Sequence, residues 1–163
     1  GRYGNGHPNI VPYRDYPCAE GEIALSVGND TQFARFAEIA GHPEWSDDEN
    51  FKTNAGRVVN RDRVDQMVRD ALAAKPAEDW ITELQAAGIS CSMIYPVDQA
   101  LESAQAAANG MVIEMDHPTA GRFRALGIPY EFSDTAAAVQ GPPPILGASV
   151  SESRPVLIFA TCE

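Results

Sequence analysis

The residues best suited to chemistry stand in the stretch Gly4-Asn5-Gly6-His7. Two glycines around an asparagine allow left-handed backbone geometry at little steric cost, so this stretch predicts a tight, shaped loop. The imidazole of His7 follows at once, and an imidazole can exchange a proton near neutral pH. The stretch therefore predicts either a simple turn or a loop that contacts a ligand.

All three histidines share one feature, which is that each precedes a proline. They are His7-Pro8, His42-Pro43 and His117-Pro118. A residue before proline is pushed toward extended backbone, so the pattern predicts histidines at the ends of elements with structural roles in turns. A catalytic role is considered for His7 alone, as an independent hydrolase or racemase with Asp15 or Glu20 as its carboxylate. Proximity in sequence is the one observation behind that hypothesis.

Most other catalytic patterns are missing from the sequence. It has no G-x-S-x-G elbow, P-loop, Rossmann fingerprint, H-E-x-x-H motif or Cys/His cluster, which predicts no metal and no tightly bound cofactor. Cys18, Cys91 and Cys162 are widely spaced and form no C-x-x-C pair. This usage predicts a reducing, cytoplasmic setting, with Cys91 inert in a buried strand.

Three arginines at Arg57, Arg61 and Arg63 form the densest basic run and allow two interpretations. They form an anion-binding patch, or they form a helix face that carries ion pairs. Asp62 and Asp65 are interleaved with them, and opposite charges three or four residues apart meet on a helix. The spacing favours the ion-paired face.

The overall negative charge of the chain limits the classes of molecule that it is expected to bind. The 163 residues include 12 Lys and Arg against 23 Asp and Glu, for a formal net charge of −11. This balance predicts no nucleic-acid partner and no anionic membrane surface, because both need basic neutralisation. No apolar run approaches the ~20 residues that a membrane-spanning helix requires.

Hydrophobic periodicity predicts an α+β fold, with a small antiparallel sheet packed against three to four helices and an extended C-terminal tail. The predicted strands are 13–18, 22–28, 89–95 and 111–115. The predicted helices are 30–40, with Asp30 as N-cap, 61–75, 77–87 and 97–109. Trp45 and Phe51 are expected to anchor the loop at 44–56. The predicted organisation is a connecting loop at 1–12, a small domain at 13–116 and an extended tail at 117–163.

Seven segments in one order carry a family resemblance. They are GNGHPNIVPY, EGEIALSVGND, QFARFAEIAGHPEW, DDENFKTNAGRVVNRDRV, DWITELQAAGISCSMIY, HPTAG and GPPPILG. The series, over residues 4–147, resembles the C-terminal part of the family III CoA-transferases. That group includes formyl-CoA transferase, carnitine CoA-transferase and α-methylacyl-CoA racemase.

The resemblance implies that this chain is the small domain of a two-domain enzyme whose dimer chains interlock like rings. It also implies that the aspartate that carries the acyl group, and most contacts to the CoA thioester substrate, lie in a large domain upstream of these residues. Gly4, Asn5, Gly6 and His7 correspond to a glycine-rich loop that closes over the activated acyl group, although formyl-CoA transferases carry more consecutive glycines there.

Two functions remain open. The first is the small domain of a family III CoA-transferase, inactive alone because the catalytic aspartate is absent, and partnered by a large domain or by a second copy. The second is a free-standing interaction module that self-associates. The end of the chain departs from the family pattern, and its apolar run at 156–160 suggests a truncated or shifted reading frame or an excised domain.

Overall fold

The computed structural model describes residues 2–145, which fall into two compact units that meet between Tyr95 and Pro96 in the sequence. The first unit contains β1 (Tyr13–Pro17), β2 (Glu22–Ser26), α1 (Asp30–Ile39), a 3-10 helix (Pro43–Ser46), α2 (Asn54–Val59), α3 (Arg61–Leu72), α4 (Ala77–Ala86) and β3 (Ser90–Met93). The second unit contains α5 (Val97–Glu102), α6 (Ala104–Ala108), β4 (Val112–His117) and β5 (Gly121–Leu126). The predicted α+β class is confirmed.

The sheet of the first unit is antiparallel, with the strand order β1-β2-β3. The chain reverses between β1 and β2 at Gly21, whose φ of 78° suits a residue without a side chain. On the central strand, Ile23 and Leu25 are buried while Ala24 between them is exposed. This alternation is the pattern that predicted the hairpin, and it gives the sheet one face that packs on the helices.

The first unit carries a continuous apolar core. Helix α3 contributes Val64, Val68 and Leu72, all at most 1% exposed, at the spacing of one helical face. Trp80 of α4 is 1% exposed, and its Nε1–H donates to the carbonyl of Leu72 at 2.9 Å. The indole polar atom is therefore satisfied although the ring is buried, which the burial of tryptophan requires.

Helix α1 begins at a different cap from the one expected. The side chain of Asn29, and not that of Asp30, accepts a hydrogen bond from the Gln32 amide at 2.9 Å. Both residue types cap helices well, so sequence alone does not choose between them. Asp30 is unavailable because its Oδ1 atom accepts from Arg57 and from the Asn54 amide.

The loop after α1 is anchored as expected, since Trp45 is 9% exposed and Phe51 is 2% exposed. The imidazole of His42 stacks on Trp45 with ring centroids 4.5 Å apart and planes 3° apart. Its Nδ1 atom lies 3.0 Å from a carboxylate oxygen of Glu44. His42 therefore has the structural role at an element end that its position before proline predicted.

The second unit is built on the hairpin of β4 and β5, in which Val112 faces Leu126 and His117 faces Gly121. The hairpin crosses the boundary expected between residues 116 and 117. The reason is local, because His117 Nδ1 accepts hydrogen bonds from the amides of Thr119 and Ala120 at 3.2 and 3.0 Å and so closes the turn.

The helical region before β4 is divided at Ser103, whose hydroxyl accepts from the Ala106 amide and starts a new helix. From residue 127 to residue 145 the described chain contains no helix and no strand. The apolar run expected at 156–160 lies outside the described residues. No helix within the described residues has the length and apolarity to cross a membrane.

Candidate functional site

The stretch Gly4-Asn5-Gly6 forms a turn. The amide of Gly6 donates to the carbonyl of Tyr3 at 2.9 Å, and Gly4 has a φ of 58° while Asn5 has a negative φ. This sign pattern is that of a type II′ turn, in which glycine is preferred at the first central position. A Cβ atom on Gly6 would lie 3.1 Å from the Tyr3 oxygen, a tight contact, while the positive φ of Gly4 is the feature that requires glycine.

His7 is fixed on three sides. Its amide donates to the carbonyl of Tyr13 at 2.9 Å, and its ring stacks on the Tyr13 ring with centroids 5.1 Å apart. The Nδ1 atom accepts a hydrogen bond from the Asn9 amide at 3.1 Å. Because Nδ1 is an acceptor, the neutral imidazole carries its hydrogen on Nε2. The ring is half-buried.

Arg61, the first residue of α3, holds the segment that follows the turn. Its Nη1 donates to the carbonyl of His7 at 2.9 Å and its Nη2 donates to the carbonyl of Pro8 at 2.6 Å. The same guanidinium lies over the ring of Tyr3, 5.1 Å from the centroid. One planar group therefore contacts both sides of the turn.

Asn54, at the start of α2, holds the next part of the segment. Its side-chain amide donates to the carbonyl of Asn9 at 2.8 Å and accepts from the amide of Val11 at 3.1 Å. The side chain thus pairs with the backbone as a neighbouring strand would. Its own backbone amide donates to Asp30 Oδ1 at 2.7 Å, which fixes the start of α2 against α1.

Arg57 completes the attachment from inside the first unit, where it is 0% exposed. Its Nε donates to Val11 at 2.7 Å, its Nη1 donates to Phe51 at 2.7 Å, and its Nη2 contacts Asp30 at 2.8 Å. The guanidinium also lies 4.2 Å from the centroid of Phe33. Burial lowers the pKa of Arg57, and the hydrogen bond to Asp30 opposes that effect.

A second polar cluster fixes β1, the strand that follows this segment. The Tyr16 hydroxyl donates to the buried carboxylate of Asp65 at 2.6 Å, and Arg14 donates to the other oxygen of that carboxylate at 3.2 Å. Burial, and then the hydrogen bond to Asp65, raise the pKa of Tyr16 above its ordinary value. The cluster ties β1 to α3 and has a structural role.

The structure brings the four expected loop residues together in the turn and its continuation, and it gives His7 no catalytic partner among residues 2–145. Asp15 lies 3.7 Å from Arg14, and no hydrogen bond among the described residues joins His7 to Asp15 or Glu20. The geometry gives no support to a hydrolase or racemase centred on His7.

The expected ion-paired face of the arginine run is wrong. Arg57 is buried against Asp30, Arg61 binds backbone carbonyls, and Arg63 lies over the ring of Phe51 at 4.7 Å. The physical reason lies in the segment at 7–11, which pairs with no strand and so leaves its carbonyls without donors. The guanidinium groups of Arg57 on α2 and Arg61 on α3 supply donors to those carbonyls.

The sequence did not predict that Asn54 and Arg57 hold this segment or that Asp30 pairs with Arg57. It predicted Arg61 as part of either an anion-binding patch or an ion-paired helix face. A usable signal was present. Prolines at 8 and 12 cannot donate backbone hydrogen bonds, so the segment between them is a poor strand. Its carbonyls still need partners, and the nearest run of multivalent donors in the sequence is the one that begins at Arg57.

Other parts of the described chain contain little that could do chemistry. Within residues 2–145 no group of three His, Cys, Asp or Glu side chains is arranged to hold a metal ion. Cys91 is half-buried, and burial raises the pKa of its thiol. A cavity of about 380 Å³ lies in the second unit between α5 and the hairpin, where Arg124 is paired with Glu102.

Comparison with known proteins confirms the family resemblance. Residues 1–150 match the family model for CoA-transferase family III. The succinyl-CoA:glutarate CoA-transferase of Mus musculus is 32% identical over 146 residues, covering 90% of this chain and 34% of the mouse protein. A formyl-CoA:oxalate CoA-transferase of Streptomyces avermitilis is 30% identical over 154 residues, covering 93% of this chain and 37% of that protein.

Solved structures agree. The crystal structure of a CAIB/BAIF family protein from Brucella suis superposes with a TM-score of 0.77 at 30% identity, covering 88% of this chain and 36% of that one. The chain spans about a third of the length of these relatives. The family model nevertheless matches almost all of it, and the chain belongs to CoA-transferase family III.

Proposed function

We propose that these residues are the small domain of an enzyme that transfers CoA between an acyl-CoA thioester and a free carboxylate. The observation that carries the proposal is the family match over residues 1–150, together with the coverage of only about a third of each relative. The relatives are named for pairs of small carboxylates, succinate with glutarate and formate with oxalate. Small carboxylates of this kind are the first substrates to try.

The mechanism is divided between two parts of the enzyme. A carboxylate of the large domain, outside these 163 residues, attacks the carbonyl carbon of the thioester. The C–S bond breaks, CoA leaves as a thiolate, and the carboxylate carries the acyl group as a covalent anhydride intermediate. The Gly4–His7 turn covers that intermediate and limits access of water. The attachments next to the turn support this role: Arg61 of α3 binds the carbonyls of His7 and Pro8, and Asn54 and Arg57 of α2 bind the segment that follows at 9–11, so the cover is placed on a fixed backbone.

The His7 ring contributes shape and not proton transfer in this account. Its Nδ1 atom is already engaged by the Asn9 amide, and its face is covered by Tyr13. CoA enters as a substrate and not as a resident cofactor. The anionic CoA phosphates find most of their contacts on the large domain, which is consistent with a net charge of −11 on this chain.

The partners follow from the same proposal. Several apolar side chains of the second unit are open to solvent, among them Val97 at 77% and Leu126 at 63% exposed. We propose that the large domain or a second copy covers them in a homo-oligomer. Both described cysteines, Cys18 and Cys91, are free thiols, which supports a cytoplasmic location.

The exposed apolar side chains also support the second candidate, a self-associating module. Sedimentation velocity of the 163-residue chain over a hundredfold range of concentration distinguishes the cases. Self-association predicts a sedimentation coefficient that rises with concentration and falls back in a Leu126→Lys variant. A monomer at every concentration contradicts self-association and leaves the large domain as the cover.

The transfer proposal is tested with two lengths of polypeptide and a panel of acyl-CoA and carboxylate pairs. The 163-residue chain alone is expected to give no transfer and no calorimetric heat with millimolar CoA. A polypeptide that joins it to a large family III domain is expected to transfer CoA. Transfer by the short chain would place the nucleophile within these residues, and no transfer by the longer one with any pair would overturn the function.

A further inference from the structure

We propose that Arg61 is the positioning residue that fixes the Gly4–His7 turn, separate from the arginine that stabilises the fold. The proposal rests on the proposed function for its catalytic consequence, and on the geometry alone for its structural part. Arg61 reaches the turn through the carbonyls of His7 and Pro8, so it acts through the backbone and not on the substrate.

Two arginines four residues apart in sequence, Arg57 on α2 and Arg61 on α3, have different roles. Arg57 is 0% exposed and binds Val11 and Phe51 in the interior of the first unit. Arg61 is half-buried, and within residues 2–145 its guanidinium donates side-chain hydrogen bonds to the carbonyls of His7 and Pro8 and lies over the ring of Tyr3. Loss of Arg57 therefore disturbs the fold, while loss of Arg61 disturbs the turn.

The platform for this contact is rigid. Arg61 begins α3, and three residues further along the helix Val64 is 1% exposed in the core. The two donated hydrogen bonds leave from one planar group and end on consecutive carbonyls, which fixes both distance and direction. A lysine at this position keeps the charge but offers a single ammonium, so it cannot reproduce the fork.

The consequence for the reaction is selective. When the turn is loose, water attacks the acyl carbon of the covalent intermediate. The bond from that carbon to the oxygen of the large-domain carboxylate breaks, the carboxylate leaves unmodified, the attacking water gives up a proton, and the free acid forms. The amount of CoA transferred to the carboxylate acceptor falls by the amount of the intermediate that water hydrolyses. The affinity for acyl-CoA changes little, because the turn contributes cover and not the main CoA contacts.

The structural part is tested on the 163-residue chain by amide hydrogen exchange read out by NMR. In Arg61→Lys, exchange at the amides of Gly6 and His7 is expected to rise about tenfold while the urea midpoint stays unchanged. Arg63→Lys is the matched control, since Arg63 is an exposed arginine of the same helix whose guanidinium lies over the Phe51 ring and makes no hydrogen bond to the turn among the described residues. Unchanged exchange in Arg61→Lys would overturn the proposal.

A second variant covers the case in which Arg61→Lys does not fold. Tyr3 is 45% exposed, so Tyr3→Ala leaves the core intact while it removes the ring beneath the guanidinium. Faster exchange at the Gly6 amide is expected, by a smaller factor than for the arginine variant. Exchange equal to that of the unaltered chain would show that the guanidinium does not hold this side of the turn.

The catalytic part is tested in a polypeptide that also carries the large domain. Arg61→Lys is expected to raise the ratio of hydrolysis to transfer about tenfold, with KM for acyl-CoA within about twofold, and Arg63→Lys is expected to match the unaltered enzyme. An unchanged ratio would overturn the positioning role. Absence of transfer in the unaltered enzyme would instead reject the proposed function, and the exchange result would still decide whether Arg61 fixes the turn.

Discussion

The two units of the described chain use the same kinds of element but differ in how those elements bury their side chains. The first unit packs its sheet and helices around a core that includes Phe36, Val68 and Leu84, each 0% exposed. In the second unit Ala106, 9% exposed, is the one side chain among residues 96–145 that counts as buried. The hairpin of the second unit is held together by the backbone hydrogen bonds between β4 and β5 and by the hydrogen bonds of its turn at His117.

The difference in burial between the two units determines whether each one can hold a buried polar group and a fixed backbone segment. A unit with its own core can hold a buried guanidinium and use it to fix a backbone segment that has no strand partner. A hairpin without a core is marginal by itself and gains stability from whatever covers it. The expected active-site turn is attached to the first kind of unit, where its position is fixed.

The sharpest test of the difference uses the same substitution in each unit. Leu84→Ala removes a 0% exposed side chain and is expected to lower the free energy of unfolding by about 3 kcal/mol. Leu126→Ala removes a 63% exposed side chain and is expected to change it by less than about 0.5 kcal/mol. Urea unfolding followed by circular dichroism measures both. Equal losses would contradict the comparison.

The buried arginine gives the next largest effect. Arg57→Met leaves the carbonyls of Val11 and Phe51 without their donor inside the core, which is expected to cost about 2–3 kcal/mol. Arg63→Met, on an exposed position of α3, is expected to cost less than about 1 kcal/mol. If the two variants unfold at the same urea concentration, Arg57 does not have the role assigned to it.

Alkaline pH offers a test confined to the first unit. Burial and the bond to Asp65 raise the pKa of Tyr16, so the folded state keeps its proton when the unfolded chain, with an ordinary pKa of about 10, has lost it. The stabilising contribution is complete below pH ~10 and declines above it, by up to about 1.4 kcal/mol per pH unit. Urea unfolding between pH 8 and pH 11.5 measures this slope.

The control for that slope is Tyr16→Phe, which retains the ring and removes the titrating hydroxyl. The variant is expected to be less stable at pH 8, because Asp65 loses its donor, but to lose stability more gently as the pH rises. A variant with the same slope as the unaltered chain would show that Tyr16 does not titrate in the unfolding reaction.

The smallest expected effect is local to the turn. Gly4→Ala places a side chain at a φ of 58° and is expected to cost about 1 kcal/mol, which corresponds to roughly fivefold faster exchange at the Gly6 amide. Gly141→Ala is the control in the second unit, since its added Cβ meets no atom within 4 Å. Equal exchange in the two variants would contradict the assigned turn geometry.

Local pattern predicted much of the first unit. The alternation around Ile23 and Leu25 gave the central strand, and Gly88, with a φ of 75°, marks the end of α4 as expected. The cap of α1 was mispredicted because Asp30 is engaged by Arg57, which lies 27 residues away in sequence. A contact between residues so far apart in sequence cannot be predicted from the local hydrophobic periodicity.

In the candidate site, too, the features set by local residue type could be predicted from sequence, and those set by long-range contacts could not. The turn at Gly4 and Gly6 follows from residue type, because glycine conformational freedom is a local property. The attachment through Asn54 and Arg61 depends on the packing of α2 against α3 and of α3 against β1, the latter a contact between elements distant in sequence. Sequence could therefore identify the loop, but not the side chains that fix it.

The most direct test of the central claim is residue-resolved hydrogen exchange along the whole 163-residue chain. The amides of Val68 and Leu84 are expected to exchange only on global unfolding, and the His7 amide, which donates to Tyr13, is expected to be protected but to exchange through local opening. Amides of the β4–β5 ladder are predicted to exchange far faster. Equal protection of the hairpin and the core, or an unprotected His7, would contradict the account.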